Sequence, residues 1–290
     1  MDAPRSQADR NRPGVVVGVD GSRLALDAVR WAVTEARLRR APLHILHGAP
    51  YAAGSTVGTR RARDILGRAY TVAYRIDPTL RISTEHTERP ATPSLLDAAQ
   101  HAQLLVVGMG GGERPQEVLV HSVALEVSGR SPCPVAVVRG RYHSPARAPV
   151  LVGVDDPATD TAALNVAFQD AQTHRGRVVV LHAGDDNPLV GGVAALEPWT
   201  SRFPDVPVEV KVVQESPVPA LLAAAVQARL VVVGSRGRRA PARALFGSTS
   251  RAVVRRSPVP VIVVNPQAAR TLAQPATAPT ASVAASPSAQ

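Results

Sequence analysis

The sequence predicts an α/β protein built as two tandem doubly wound domains, each with a five-stranded parallel sheet flanked by helices. Two observations carry this reading. An internal repeat divides the chain, and each copy alternates strand-sized with helix-sized apolar patterns. Val15-Val-Val-Gly-Val-Asp20 returns as Val150-Leu-Val-Gly-Val-Asp155, and Leu46-His47 as Leu181-His182, each pair 135 positions apart. Leu104-Leu-Val-Val-Gly108 returns as Leu230-Val-Val-Val-Gly234, and Ser131-Pro-Cys-Pro-Val135 as Ser257-Pro-Val-Pro-Val261, now at an offset of 126. One deletion of nine residues in the second copy, between His182 and Val218, reconciles the two offsets.

Each element follows from its local pattern. The runs Val15–Val19 and Val150–Val154 are continuous β-branched stretches, as in strands buried on both faces. Helices are expected at Leu24–Arg39 and Thr161–Arg175, the first with Leu24, Ala28, Trp31 and Ala32 inward and Glu35 turned outward. Second strands fall at Leu43–His47 and Arg177–His182. A helix over Thr59–Tyr74 has a shortened counterpart after Gly192. Third strands at Arg81–Thr87 and Val208–Gln214 lead to helices near Pro93–Gln100 and Pro219–Gln227. Fourth strands end at Gly108 and Gly234. Helices at Gln116–Ser128 and Arg243–Arg255 then enter final strands at Val135–Arg139 and Val259–Val264. Domains of 14–141 and 149–266 result, joined by a linker at 142–148. Residues 1–13 and the Ala/Pro/Ser/Thr-rich stretch 267–290 are expected to be disordered, the latter offering nothing to folding. Apolar final strands in both copies would be exposed edges, so they are expected to join the halves as a pseudo-dimer within the chain or a dimer of chains.

Composition excludes several function classes. No apolar run is long enough to cross a bilayer, and the polar opening is no secretory signal, so a cytoplasmic protein without membrane contact is expected. A single cysteine, Cys133, excludes an internal disulfide and a Cys-based zinc cluster, and no metal-ligand set is evident. The net charge is +10, carried almost wholly by arginine, with Lys211 the only lysine. The arginines are dispersed and aromatics are only 3% of residues, which argues against a nucleic-acid surface. With one lysine and no G-x4-G-K-[ST] segment, a P-loop hydrolase is excluded, and no G-x-G-x-x-G follows a first strand. His47 and His182 hold equivalent strand ends without a Ser or Asp partner, which points to structure over catalysis.

The segment richest in chemistry follows the fourth strand of the second copy. Gly234-Ser-Arg-Gly237, nine residues, then Gly247-Ser248 give the spacing G-x2-G-x9-G-[ST]. Glycines after a buried strand let backbone approach an anion closely. N–H groups and hydroxyls at the following helix can then hold phosphate oxygens. Arg236, Arg238, Arg239 and Arg243 surround the loop with positive charge, although glycines at this spacing also serve as plain turns.

With the Val-Gly-Val-Asp opening and the Ser-Pro-x-Pro-Val ending, this pattern resembles the universal stress proteins over about Pro13 to Pro266. The resemblance implies ATP, with or without Mg2+, as ligand and a nucleotide-dependent stress-response regulator or sensor, with no catalytic residues. It places Asp155 by the ribose and adenine, Ala183 and Val233 along the adenine, and Gly234, Arg236, Gly237, Gly247, Ser248, Thr249 and Ser250 on the phosphates. The first-copy equivalents are Asp20, Gly48, Val107, Gly108, Gly111 and Ser122. That copy departs from the motif: His121 stands where the second glycine belongs, and either obstructs a polyphosphate or, protonated, touches one. Asp156-Pro157 replaces the Gly21-Ser22 that follows Asp20. A nucleotide-free pairing scaffold and an adenine-nucleotide-using α/β enzyme are the alternatives.

Overall fold

A computed structural model describes residues 14–109, 123–141, 147–186, 188–235 and 247–273. In the first half, β1 (Gly14–Gly18), β2 (Leu43–Gly48), β3 (Ile82–Thr87), β4 (Ala102–Gly108) and β5 (Val135–Val138) alternate with α1 (Arg23–Leu38), α2 (Thr56–Ile76), α3 (Ala91–Ala99) and α4 (Val123–Arg130). In the second half, β6 (Val150–Gly153), β7 (Val178–Ala183), β8 (Val208–Val213), β9 (Leu230–Gly234) and β10 (Val261–Val264) alternate with α5 (Thr161–Thr173), α6 (Glu197–Arg202), α7 (Pro217–Ala225) and α8 (Ser248–Arg256). A final helix, α9 (Pro266–Ala273), follows β10. The shortened counterpart of α2 is a 3-10 turn over Gly192–Leu196 leading into the six-residue α6.

The strands form one sheet of ten in the order β3-β2-β1-β4-β5-β10-β9-β6-β7-β8. Each half is parallel, with the order reversing beside its first strand, so both carry a switch point between β1 and β4 or between β6 and β9. Strand alternation sends Val15, Val17, Leu104 and Val106 to one apolar cluster and Val16, Leu105, Val107 and Val135 to another on the opposite face. That two-sided burial is why the strands read as unbroken Val/Leu runs. The outermost strands, β3 and β8, are less buried and carry Glu85, Glu209 and Lys211, which suits solvent-facing edges.

The halves join antiparallel through β5 and β10, with Val261 opposite Val137, Ile262 opposite Ala136 and Val263 opposite Val135. All eight residues of these strands are buried. The apolar final strands therefore find each other within the chain.

Two expectations need correction. Glu35 does not face solvent: it is 1% exposed, packed between the halves. An apolar-only periodicity count cannot foresee this, because its partners come from the other half of the chain. The tail expected to be structureless from residue 267 begins instead as α9, with Ala268 fully buried and contacts to α5. Asn265 supplies the reason: its side-chain oxygen accepts from the backbone N–H groups of Gln267 (2.8 Å) and Ala268 (3.0 Å) and caps the helix. Residues 274–290 lie outside the described residues. Truncation after Pro266 is accordingly expected to lower the melting temperature, whereas truncation after Ala273 is not; thermal melts of both variants check this.

Candidate functional site

The site is built where β9, β6 and β7 end side by side. Gly153 pairs with Val233 on one side and Leu181 on the other, so Asp155, Ala183 and Gly234 share one carboxyl edge of the sheet. Ser235, the residue after β9, donates its N–H to Val264 O (3.0 Å) and accepts from Gly247 N–H at 2.6 Å. Ser250 Oγ donates to Gly234 O at 2.5 Å. These two bonds hold the first turn of α8 against the end of β9.

Gly247 is the N-cap of α8 and has no side chain to cap it. The N–H groups of Ser248, Thr249 and Ser250 have no acceptor within the helix, so a positive partial charge faces the strand end. Ser248 is exposed and Thr249 half-buried. Ser235 Oγ is buried without a hydrogen-bond partner among the described residues, one more polar atom at this junction. Arg236 and Gly237 lie outside the described residues, as do Arg238, Arg239 and Arg243. Helix α8 begins at Ser248, not at Arg243, which puts Gly247-Ser248 at the helix start instead of within its first turns.

The nucleoside end differs between the copies. In the first, Asp20 Oδ1 accepts from Ser22 N–H (2.8 Å), and Ser22 Oγ accepts from Ala25 N–H (3.1 Å), so α1 begins at once. Pro157 stands where Ser22 would and cannot cap in this way. Helix α5 starts only at Thr161, three positions later than Arg23 implies across the 135-residue offset. Asp160 fills the gap: its Oδ2 accepts from the N–H groups of Asp155 (2.7 Å) and Asp156 (3.1 Å). Burial raises the Asp160 carboxyl above the usual range, against those two N–H donors, and the neighbouring Asp155 and Asp156 charges add to the rise. Sequence reasoning missed Asp160, although the loss of the Gly-Ser cap was the signal that something else must fold this turn.

The first-copy residues divide. Asp20, Gly48, Val107 and Gly108 share the carboxyl edge of β4, β1 and β2, through the pairing of Gly18 with Val107 and Leu46. Gly111, His121 and Ser122 lie outside the described residues. A Cβ on Gly108 would meet Leu24 O at 2.8 Å and Ala25 N at 3.0 Å, so this glycine lets β4 touch the start of α1. A Cβ on Gly48 would meet Ala91 Cα at 2.5 Å and Ala91 N at 2.7 Å. The entry to α3 therefore packs directly on Gly48. The equivalent Ala183 does carry a Cβ.

The two histidines make the same strand-end tie, but His182, expected to lack an aspartate partner, has Asp186 Oδ1 3.4 Å from its Nε2. His47 Nδ1 lies 2.6 Å from Val19 O and His182 Nδ1 2.9 Å from Val154 O, the same strand-end tie in both halves. His47 Nε2 adds the Tyr51 hydroxyl at 2.7 Å. Cys133 is buried and its thiol is pushed up to about 11 by burial, which leaves it inert. A cavity of about 350 Å3 lies elsewhere, lined by Leu96, Arg130, Asn265, Gln267 and Arg270 among others, and contains none of the expected site residues. Among the described residues no helix is long and apolar enough to cross a membrane.

Comparison with known proteins agrees with this architecture. The model of the universal stress protein family matches residues 13–139 and 190–265. A universal stress protein of Mycobacterium tuberculosis is 32% identical over 298 residues, covering 91% of this chain and 99% of its own. Another, from Mycolicibacterium smegmatis, is 33% identical over 289 residues, covering 88% and 97%. Among solved structures, a universal stress protein from Archaeoglobus fulgidus superposes with a TM-score of 0.68 at 20% identity, covering 86% of this chain and 95% of that one. A putative universal stress protein from Pseudomonas aeruginosa gives 0.60 at 15% identity, covering 91% and 96%. Repeat, sheet order and profile agree, and the chain belongs to the universal stress protein family.

Proposed function

We propose that the second half binds one ATP, with or without Mg2+, and that the chain acts as a nucleotide-dependent regulator or sensor in a stress response, not as an enzyme. The observation that supports this most is the start of α8, held uncapped against the end of β9 by Gly247 N–H to Ser235 O and Ser250 Oγ to Gly234 O. Its free N–H groups suit phosphate oxygens, and Gly234, Arg236, Gly237, Gly247, Ser248, Thr249 and Ser250 supply the phosphate side. Asp155, Ala183 and Val233 sit along the same edge for the nucleoside.

The first half serves mainly as the partner that completes the sheet. The α3 backbone packs closely on Gly48, and His121 interrupts its motif. Because β5 and β10 consume one another, any pairing of whole chains uses a different surface. Titration calorimetry should give one ATP per chain. Gly247→Asp, which sets a carboxylate beside the phosphates, should abolish that binding with the fold intact by circular dichroism. His121→Gly should leave it unchanged or add a weaker second site. Two equal wild-type sites, or full binding by Gly247→Asp, would overturn the assignment.

A further inference from the structure

The halves also meet across their first helices, and there the repeat assembles a buried ring of charges. Glu35 and Arg39 stand at the end of α1; Asp170 and His174, each 135 positions later, stand at the end of α5. Acid and base alternate across the interface. Arg39 Nη2 donates to Asp170 Oδ1 at 2.6 Å and lies 3.2 Å from Glu35 Oε2. His174 Nε2 lies 3.0 Å from Glu35 Oε1 and 3.7 Å from Asp170 Oδ2. Arg229, just before β9, brings Nη2 within 3.4 Å of His174 Nε2. Glu35 and Asp170 are 1% and 0% exposed. Asp170 Oδ2 is buried without a hydrogen-bond partner among the described residues.

Glu35, Asp170 and His174 place ligand atoms within 4.8 Å of one another, a spacing open to a divalent cation. Arg39 and Arg229 already neutralise the two carboxylates, however, and a further cation would leave buried positive charge in excess. A proton on the unpartnered oxygen adds the least charge and satisfies the one carboxylate atom left without a donor.

We propose that this ring is a proton-operated latch between the two halves: mild acidification puts a solvent proton on Asp170 Oδ2 and tightens the docking of α5 on α1. Burial first, and then the Glu35 charge, push the Asp170 carboxyl up to about 6, against Arg39, His174 and Arg229. Burial also opposes ionisation of Glu35, but its hydrogen bond to His174, with the charges of His174, Arg39 and Arg229, holds that carboxyl below the usual range. The charged residues on the other helices packed against α5, Glu197 and Arg202 of α6 and Arg270 of α9, are exposed.

The sign of the effect follows by linkage. An acid whose folded value is raised binds more protons in the docked state, so its charged form costs stability at neutral pH. That cost is relieved as pH falls from about 7 toward 5. Glu35 acts in the opposite sense and only below its ordinary range, so the latch tightens in the window above it. The test is thermal melting of the full chain at pH 7.5 and 5.0, wild type against Asp170→Asn, with a side-chain carboxyl NMR titration of the wild type. The wild-type melting temperature should gain several degrees relative to Asp170→Asn on acidification, and the carboxyl resonance assigned to Asp170 should titrate near 6, about two pH units above an ordinary aspartate. A pH-independent difference, or no carboxyl titrating near 6, would overturn the latch. If Asp170→Asn does not fold, the wild-type titration alone decides. Stabilisation by added Zn2+ at pH 7.5, lost in Asp170→Asn, would overturn it in favour of a metal site.

Discussion

Val137→Lys combined with Val263→Lys should abolish cooperative folding of the chain. Both valines are fully buried, on facing strands of the seam where the two halves become one sheet. Each substitution removes a packed apolar side chain and forces an ammonium into a site without an anion. Burying an unpaired charge costs several kcal/mol even after the lysine sheds its proton. Two such costs approach the ~5–15 kcal/mol that holds a whole domain folded. Melting followed by circular dichroism should lose its single sharp transition, and light scattering should show separated or aggregated halves. A compact chain with an unchanged transition would mean that the seam contributes little.

Asn265→Ala should have the next largest effect, although it removes only one small side chain. Asn265 Nδ2 donates to Ser128 O (3.0 Å), in the last turn of α4, and to Ser131 O (2.9 Å), just after that helix in the other half, while its oxygen caps α9. Asn265 is 1% exposed, so water does not readily replace these bonds. Orphaning each of the two carbonyls costs ~1–3 kcal/mol and losing an N-cap ~1 kcal/mol, for a total of roughly 3–7 kcal/mol. Urea unfolding should show a lower midpoint, and Asn265→Asp should recover the cap but not the two donated bonds. An alanine variant within about 0.5 kcal/mol of wild type, the usual range for surface changes, would refute this role.

The contrast between Val137 and Asn265 marks where sequence reading succeeds. Val137 belongs to a buried run whose apolar continuity is visible in one dimension, and the same is true of the inner strands of both halves, though not of the edge strands β3 and β8. The repeat at offsets of 135 and 126 carries the topology from one half to the other. Asn265 is legible only after its partners are known, because those carbonyls lie 134 and 137 positions away. Glu35 is the same case: a charged residue on a helix defaults to solvent, and only Asp170 and His174 reverse that default. At the candidate site, Gly234 and Gly247 stand out through their spacing, whereas Asp155 and Ala183 enter only through the resemblance. The Asp160 turn was not legible, because it compensates for a cap that Pro157 removes. At Gly48, which the resemblance assigns to the nucleotide, the backbone of Ala91 also supplies a packing reason.

The seam also changes what substitution can do to this interface. In a symmetric dimer of separate chains, every change at the axis appears twice and must complement itself. A duplicated chain is freed from that constraint. Arg39 and His174 hold equivalent places in the two copies yet differ in chemistry, and Asn265 has Arg139 as its counterpart. One copy can therefore change while the other does not, without either change being imposed on both. Covalent linkage turns a homodimer into a heterodimer with a fixed one-to-one ratio, and selection can then treat its two sides as separate genes.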